Sequence, residues 1–349
     1  MSAWISAPKT SVVASNGRKT TVQSIVGWPR DYVSRTVMGR DLICGAEVLD
    51  RRMALDVVRP LQRGGLKYLS HTEAGIADAE VGRFRRAARL LVNHVISELD
   101  SPKHVPVYGV IGSPSRADMQ NKQFIIDAAS EVFDAAMVVP EPLAVAYGMD
   151  RLDDSLIIDV GAGTTDVCPM YGTYPAADDQ LTLPVGGDSI DETFCRLMTE
   201  AHPDVRFSVR MARDIKEQYG YVHDVEETAP VVLPINGVPQ KIDVAKPLQE
   251  ACRTIVPPLV DALKGLIAGF DPEFRSVLLN KTILCGGGSQ LTGLDRLIEQ
   301  EAFKLFGGGR IKRICDPYAG AAGALKIAID MQAEHWEQIK SPSAAIAAA

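Results

Sequence analysis

At 349 residues, with 46% hydrophobic content and a net charge of −7, the chain is long enough to bury two moderate cores, and chains of this size tend to divide. Its pI near 5.5 and the absence of a Lys/Arg concentration argue against a nucleic-acid partner; the densest basic run, Arg83-Phe84-Arg85-Arg86 with Arg89, lies on a helical pattern and reads as a solvated face. Six cysteines without a Cys-x-x-Cys pair exclude a zinc pattern or disulfide framework, and no apolar run has the length of an integral membrane segment, so a cytoplasmic location is expected.

In chain order, Ala3-Trp4-Ile5 is a stunted strand, and Thr10 to Ala14 and Thr20 to Val26 form a hairpin around Ser15-Asn16-Gly17-Arg18. Residues 28–80 are irregular and charged and suit a small inserted subdomain. Val81 to Leu99 is an amphipathic helix ended by Ser101-Pro102, Val105 to Ile111 a strand, Ser115 to Phe133 a helix, Met137 to Val139 a strand, and Leu143 to Met149 a helix after Pro140-Glu141-Pro142. This alternation of helix and strand predicts an α/β fold with helix-covered sheets. After Leu156 to Val167, Leu181 to Val185 is a strand, and Ile190 to Ala201 and Ser208 to Tyr219 are helices, the second with Ser208 as N-cap. Asn236-Gly237 joins strands Val231–Ile235 and Val238–Val244 through a type I′ turn. One long helix is expected from Pro247 to Phe270, bent at Pro257-Pro258, then a strand at Thr282–Cys285 entering Gly286-Gly287-Gly288-Ser289, a helix, a strand at Arg310–Cys315 and a helix from Ala319 to about Trp336. The tail from Ser341 is low in complexity and expected to fray. The halves look alike, which suggests lobe I at 1–142 plus 320–349 and lobe II at 143–319, with an insert at about 190–246. Glycine turns would line a cleft between the lobes.

The most restrictive string is Asp159-Val160-Gly161-Ala162-Gly163-Thr164-Thr165-Asp166. Leu156 to Ile158 is a short apolar run suited to a strand buried on both faces. Gly161 and Gly163 allow backbone N–H groups to converge on an anion such as a phosphate. Asp159, at the strand end, is placed to hold a metal ion or its waters, because hard cations favour carboxylate oxygen. Gly186-Gly187-Asp188 opens a helix whose free N–H groups could meet a phosphate, although an ordinary capped turn explains it nearly as well. The three glycines at Gly286–Gly288 let a flat ring or sugar approach the backbone. Glu141 is either a helix-start acid that favours the dipole or a carboxylate that orients a water.

Together with Glu141-Pro142 followed by Ala144 and Gly148, and Asp316-Pro317-x-x-Gly320-Ala321-x-Gly323-Ala324, these motifs resemble the actin and heat-shock chaperone ATPase superfamily. The chain looks most like its filament-forming bacterial actins, specifically the magnetosome cytoskeletal branch. That likeness rests on Ser24 to Asp31, Tyr147 to Leu152, Gly172 to Leu183 and Val209 to Gln218, and it covers nearly the whole chain. It implies a two-lobed actin-like (ribonuclease H-like) ATPase fold with a nucleotide cleft, ATP and Mg2+ as cofactors, and self-assembly into a homopolymer filament, with copolymerisation with a related actin-like protein as a variant. On this resemblance, Asp159 is the magnesium-side carboxylate and Gly161, Gly163, Thr164 and Thr165 form a phosphate loop. Glu141 positions the attacking water, Lys216 and Glu217 fall near ribose and base, Gly286 to Ser289 form the adenosine motif, and Gly320 and Gly323 lie in an interlobe crossover. Two departures stand out. The first phosphate loop, Asp-x-Gly-Thr in relatives, is replaced by Trp4-Ile5-Ser6-Ala7, and Leu61-Gln62-Arg63-Gly64 puts a cation where relatives carry an aspartate. The cellular role expected is organelle positioning by dynamic filaments; the alternative is a degenerate scaffold with weak or no ATPase activity that modulates filaments of an intact relative.

Overall fold

The N-terminal strand that shows in the sequence only as Ala3-Trp4-Ile5 is present as β1 (Ser2–Ile5), antiparallel to β2 (Lys9–Val13), which pairs in turn with β3 (Lys19–Gln23). The computed structural model describes residues 2–5, 9–62, 65–66, 78–99, 105–225 and 227–339. Ser6, Ala7, Arg63, Gly64, the Ser101-Pro102 stop and the tail from Ser341 lie outside them. The chain forms two units, Met1–Arg151 with Asp316–Ala349, and Leu152–Cys315.

In the first unit the stretch read as irregular has its own small fold. It comprises β4 (Val26–Pro29), α1 (Tyr32–Met38), β5 (Ile43–Cys44), α2 (Glu47–Asp50) and β6 (Leu55–Val58), with a β5-β4-β6 sheet over Ile25, Ile43, Val48 and Leu55. Strands of two to four residues carry too little alternation to be seen in sequence. Asp31 caps α1, its carboxylate accepting from Ser34 N at 2.7 Å while its own N–H donates to Ser34 Oγ at 3.0 Å, a capping box with Ser in the usual Glu position. A short ribbon of β7 (Leu61–Gln62) and β8 (Gly65–Leu66) follows.

Next come α3 (Asp78–Ser97), β9 (Tyr108–Ser113), α4 (Met119–Ala129), β10 (Ala135–Pro140) and α5 (Glu141–Gly148). The fourth helix begins at Met119 rather than Ser115, because Asp118 caps it through Asn121 N at 2.7 Å. The sheet has the order β10-β9-β1-β2-β3, with β1 parallel to β9 and β9 parallel to β10. Its core includes Val12, Leu91, Val95, Ile111, Ile125 and Val138.

The second unit contains β11 (Ser155–Val160), β12 (Thr165–Met170), β13 (Leu181–Leu183), α6 (Gly187–Ala201), α7 (Val209–Tyr219), β14 (Pro230–Ile235), β15 (Val238–Asp243), α8 (Ala245–Arg253), α9 (Val256–Ala268), α10 (Pro272–Asn280), β16 (Thr282–Cys285), α11 (Leu294–Phe306) and β17 (Ile311–Arg313). Ser208 caps α7 as the sequence indicates, accepting from Met211 N, and Asn236 and Gly237 both have positive φ, 50° and 79°, as a type I′ turn requires. The long helix expected from Pro247 to Phe270 is two helices broken at Thr254-Ile255, and α10 follows as a separate element. Pro257 and Pro258 cannot donate to the turn before them and their rings clash with the carbonyls four residues back, so they begin a helix rather than bend one.

The sheet order β17-β16-β11-β12-β13, with the first three strands parallel and the last two antiparallel additions, repeats the topology of the first unit. Its core runs from Leu156 and Ile158 through Phe194, Leu248, Leu259 and Leu284. The chain then returns to the first unit as α12 (Ala319–Asp330) and α13 (Ala333–Ile339). The last helix is interrupted at Met331-Gln332, which lets Trp336 stack on Tyr108 of β9 with ring centroids 4.9 Å apart. Helices α12 and α5 touch backbone to backbone: a Cβ on Gly323 would lie 1.8 Å from the Ala144 carbonyl oxygen, so the small residues of both motifs serve helix packing. Among the described residues no helix is long and apolar enough to cross a membrane.

Candidate functional site

Every residue of β11 is buried, and its antiparallel partner β12 pairs Val160 with Thr165, leaving Gly161–Thr164 as the connecting loop. Gly161 N–H donates to Thr164 O at 2.8 Å, closing the loop. The loop is braced from behind: Gly187 N–H donates to Gly161 O at 3.1 Å and Asp188 N–H to Ala162 O at 2.6 Å. This corrects the expectation of a helix start with free donors, since the first N–H groups of α6 are spent on the loop's carbonyls. Among the described residues the N–H groups of Ala162, Gly163 and Thr164 have no hydrogen-bond partner, although Gly163 and Thr164 are buried. Buried donors without partners are costly, and a run of three successive unpartnered N–H groups, two of them on buried residues, suits an anion-accepting nest. Thr165 Oγ1 donates to Val185 O at 2.8 Å and serves the scaffold.

Asp159 and Asp166 stand opposite each other in the β11–β12 ladder and are 3% and 1% exposed. Residues so paired share one face of the sheet. Asp166 accepts from Thr182 Oγ1 at 2.5 Å, whereas Asp159 Oδ2 has no hydrogen-bond partner among the described residues. Burial, and secondly the Asp166 charge, push the Asp159 carboxyl from 3.8 up to about 7. A cation would relieve both the orphaned oxygen and the paired negative charge. No three His, Cys, Asp or Glu side chains converge among the described residues, so a cation here would be held by one or two carboxylates and keep its waters, the habit of magnesium. The residues present therefore fit Mg2+.

The Gly286 turn closes on the same strand. Gly286 has φ 81°, and a Cβ there would lie 2.3 Å from Asp159 Oδ1 and 2.5 Å from Val160 O. A Gly288 Cβ would lie 2.2 Å from Val160 Cγ1. No other residue lets the turn come so near the Asp159 carboxylate. Gly287 has open space at its Cβ position. Ser289 is fully buried and donates to Gly286 O at 2.7 Å, so it ties the turn to itself.

Lys216 is largely enclosed, its side chain 11% exposed; Nζ donates to Gly187 O at 2.7 Å and meets Asp191 Oδ1 at 2.6 Å. Arg213 joins the same cluster through Asp191 at 2.9 Å and Asp188 at 2.7 Å, and burial still holds the Asp188 carboxyl above its ordinary range. Glu217 is exposed beside this cluster. Asp191 and Arg213 went unremarked in the sequence. The signal was there in the i, i+3 spacing of Asp188/Asp191 on one helix and Arg213/Lys216 on the next. Glu141 lies in the other unit, buried in the first turn of α5.

Residues 53–305 match the MreB/Mbl protein family. The chain belongs to that family. As an MreB/Mbl-type chain it is similar over 331 residues to the actin-like protein MamK of Paramagnetospirillum magneticum, at 34% identity across 95% of this chain and 92% of the relative. MamK of Magnetospirillum gryphiswaldense is 33% identical, with 95% and 89% covered. Among solved structures, a MamK double helical filament superposes with a TM-score of 0.87 at 32% identity, covering 95% of this chain and all of that one. A non-polymerising MamK mutant bound to AMPPNP matches at 0.70 and 33%, covering 94% and 98%. The fold of this family member is therefore actin-like.

Proposed function

We propose that the protein binds ATP with Mg2+, polymerises head to tail, and uses hydrolysis to control the persistence of its filaments, with magnetosome positioning as the cellular task. The observation that carries this reading is the buried Asp159 carboxylate, with one oxygen unpartnered among the described residues, at the mouth of a loop whose successive N–H groups lack partners. The AMPPNP-bound and filamentous relatives support it.

In this reading Ala162, Gly163 and Thr164 donate to the phosphates, Gly161 closes the loop, and Gly186, Gly187 and Asp188 brace it from behind. Gly286 to Ser289 shape the wall against the nucleoside, with Lys216 and Glu217 in the helix beside it. Asp159 would hold Mg2+ through its waters; bound there, the ion supplies neutralisation of phosphate charge. Glu141 orients the attacking water. Phosphoryl transfer asks for little beyond positioning and charge balance, and a contact between unlike faces of successive copies that does not close generates a filament. Phosphate release measured beside sedimentation tests the reading. ATP-dependent pelleting with turnover is expected, and turnover unchanged in Asp159→Ala would refute the assignment.

A second reading keeps the fold but not the enzyme: a scaffold with weak or no ATPase activity that copolymerises with an intact actin-like relative. Trp4 favours it, because this residue occupies in β1 the register position that Asp159 occupies in β11. Polymer without phosphate release, or pelleting only with a related filament, would select it.

A further inference from the structure

The buried ion cluster behind the phosphate loop has a geometry that a ligand-contacting lysine would not need. Lys216 Nζ donates to Gly187 O at 2.7 Å and is ion-paired with Asp191 Oδ1 at 2.6 Å. Asp191 is fully buried and shared with Arg213. Gly187, gripped through its carbonyl by Lys216, donates its N–H to Gly161 O, and Asp188, gripped by Arg213, donates to Ala162 O. At the other end of the same helical turn Gly220 N–H donates to Lys216 O at 2.8 Å, and Thr292 N–H to Gly220 O at 3.0 Å. Thr292 lies two residues past the Gly287–Gln290 turn, after Leu291. One helix turn thus joins the brace of the phosphate loop to the glycine turn that closes over Asp159.

We infer that Asp191 and Lys216 are positioning residues: a strut that holds the Gly161–Thr164 loop in its anion-accepting form and links it to the Gly286 turn. Lys216 acts on the phosphate end through Gly187, and contacts neither ribose nor base. This rests on the nucleotide reading of the site. The physical reason is that a loop with three successive N–H groups lacking partners among the described residues is unfavourable on its own, so its carbonyls must be held by something stiffer. A buried cluster of ion-paired side chains is stiff because removing one partner leaves an uncompensated charge.

The test is titration calorimetry of the full chain with Mg-ATP and with Mg-tripolyphosphate, which has no ribose or base, alongside hydrogen exchange at Gly187 and Asp188. Lys216→Met keeps Asp191 paired with Arg213, and Asp191→Asn keeps the shape of the site. A charge-assisted bond lost from the brace corresponds to about tenfold in affinity. The strut predicts that each variant weakens both probes by about tenfold, that the double variant is no weaker than either single one, and that the two amides exchange faster. Weakening confined to Mg-ATP with unchanged amide exchange would make Lys216 a nucleoside contact and overturn the strut, as would unchanged binding of both probes. If the wild-type chain binds Mg-ATP alone, faster exchange in Lys216→Met supports the strut and unchanged exchange overturns it. A wild-type chain that binds neither probe overturns the nucleotide reading, and the strut with it.

Discussion

The two sheets of this protein each carry a hairpin built to one plan, and only one of them is chemically equipped. In the second unit the ladder reads Asp159, Asp166, Thr182 across β11, β12 and β13; in the first, the same register across β1, β2 and β3 reads Trp4, Ser11, Thr21. In the sequence, four residues separate the last paired positions in each case, Gly161-Ala162-Gly163-Thr164 against Ser6-Ala7-Pro8-Lys9. Even the supporting bonds correspond. Thr182 donates to the Asp166 carboxylate at 2.5 Å and Thr21 shares a bond with Ser11 at 3.1 Å; Thr165 bonds the Val185 carbonyl and Thr10 the Ser24 hydroxyl. The same strand pairing therefore forms in the first unit without carboxylates at these ladder positions. Sheet pairing specifies the hairpin and ligand chemistry is an addition to it.

The sharpest way to break this contrast is to exchange the paired positions. Asp159→Asn is expected to lower Mg2+-dependent ATP turnover by at least about a hundredfold, because the ion loses its protein anchor. Trp4→Phe should leave turnover within about twofold. Equal losses from the two would make the hairpins functional equals.

A second contrast lies in pH. Folding raises the Asp159 carboxyl from 3.8 to about 7, so between those values the folded state binds a proton that the unfolded chain releases. Stability of the nucleotide-free protein therefore falls as pH rises from about 4 to 7. Asp159→Asn should flatten that slope and raise stability at neutral pH by on the order of a few kcal/mol, read from denaturant midpoints. A slope unchanged in the variant would place the burden elsewhere.

Third, Gly286→Ala drives a Cβ to within 2.3 Å of Asp159 Oδ1 at a positive φ and is expected to cost about 2–4 kcal/mol. Its register counterpart in the first unit is Ser113, one residue past Gly112, the partner of Trp4. Ser113→Ala should cost under about 1 kcal/mol. The smallest effect separates a charged from a neutral acceptor: Thr182→Val is expected to lose about 1.5–3 kcal/mol and Thr21→Val about 0.5–1.5 kcal/mol, both from thermal or denaturant unfolding.

Much of this was legible in the sequence, for reasons that are local. Asp159 to Asp166 shows itself because a buried apolar run, two glycines and two carboxylates fall within a few residues. Ser208 and Asn236-Gly237 show themselves because caps and primed turns need particular residues. Within the subdomain expected at 28–80, the individual strands escaped because they are too short for periodicity, and the break at Thr254-Ile255 escaped because a proline pair fits a bend as readily as a fresh helix start. The role of Gly186-Gly187-Asp188 was hidden for a different reason. Whether a helix-start N–H is free depends on what packs against it, and the Gly161 and Ala162 carbonyls that take those donors come from an earlier strand end. Lys216 is the same case: as an isolated letter on an amphipathic helix it suggests solvent or ligand, and only the fold supplies Asp191 and Gly187 O.

The central claim is that a single carboxylate, Asp159, anchors the metal. Counting Mn2+ bound per chain in the presence of AMPPNP, by electron paramagnetic resonance of wild type, Asp159→Asn and Trp4→Phe, tests it most directly. The account predicts one tightly held ion in wild type and in Trp4→Phe and none in Asp159→Asn; an ion retained with unchanged affinity in Asp159→Asn would contradict it.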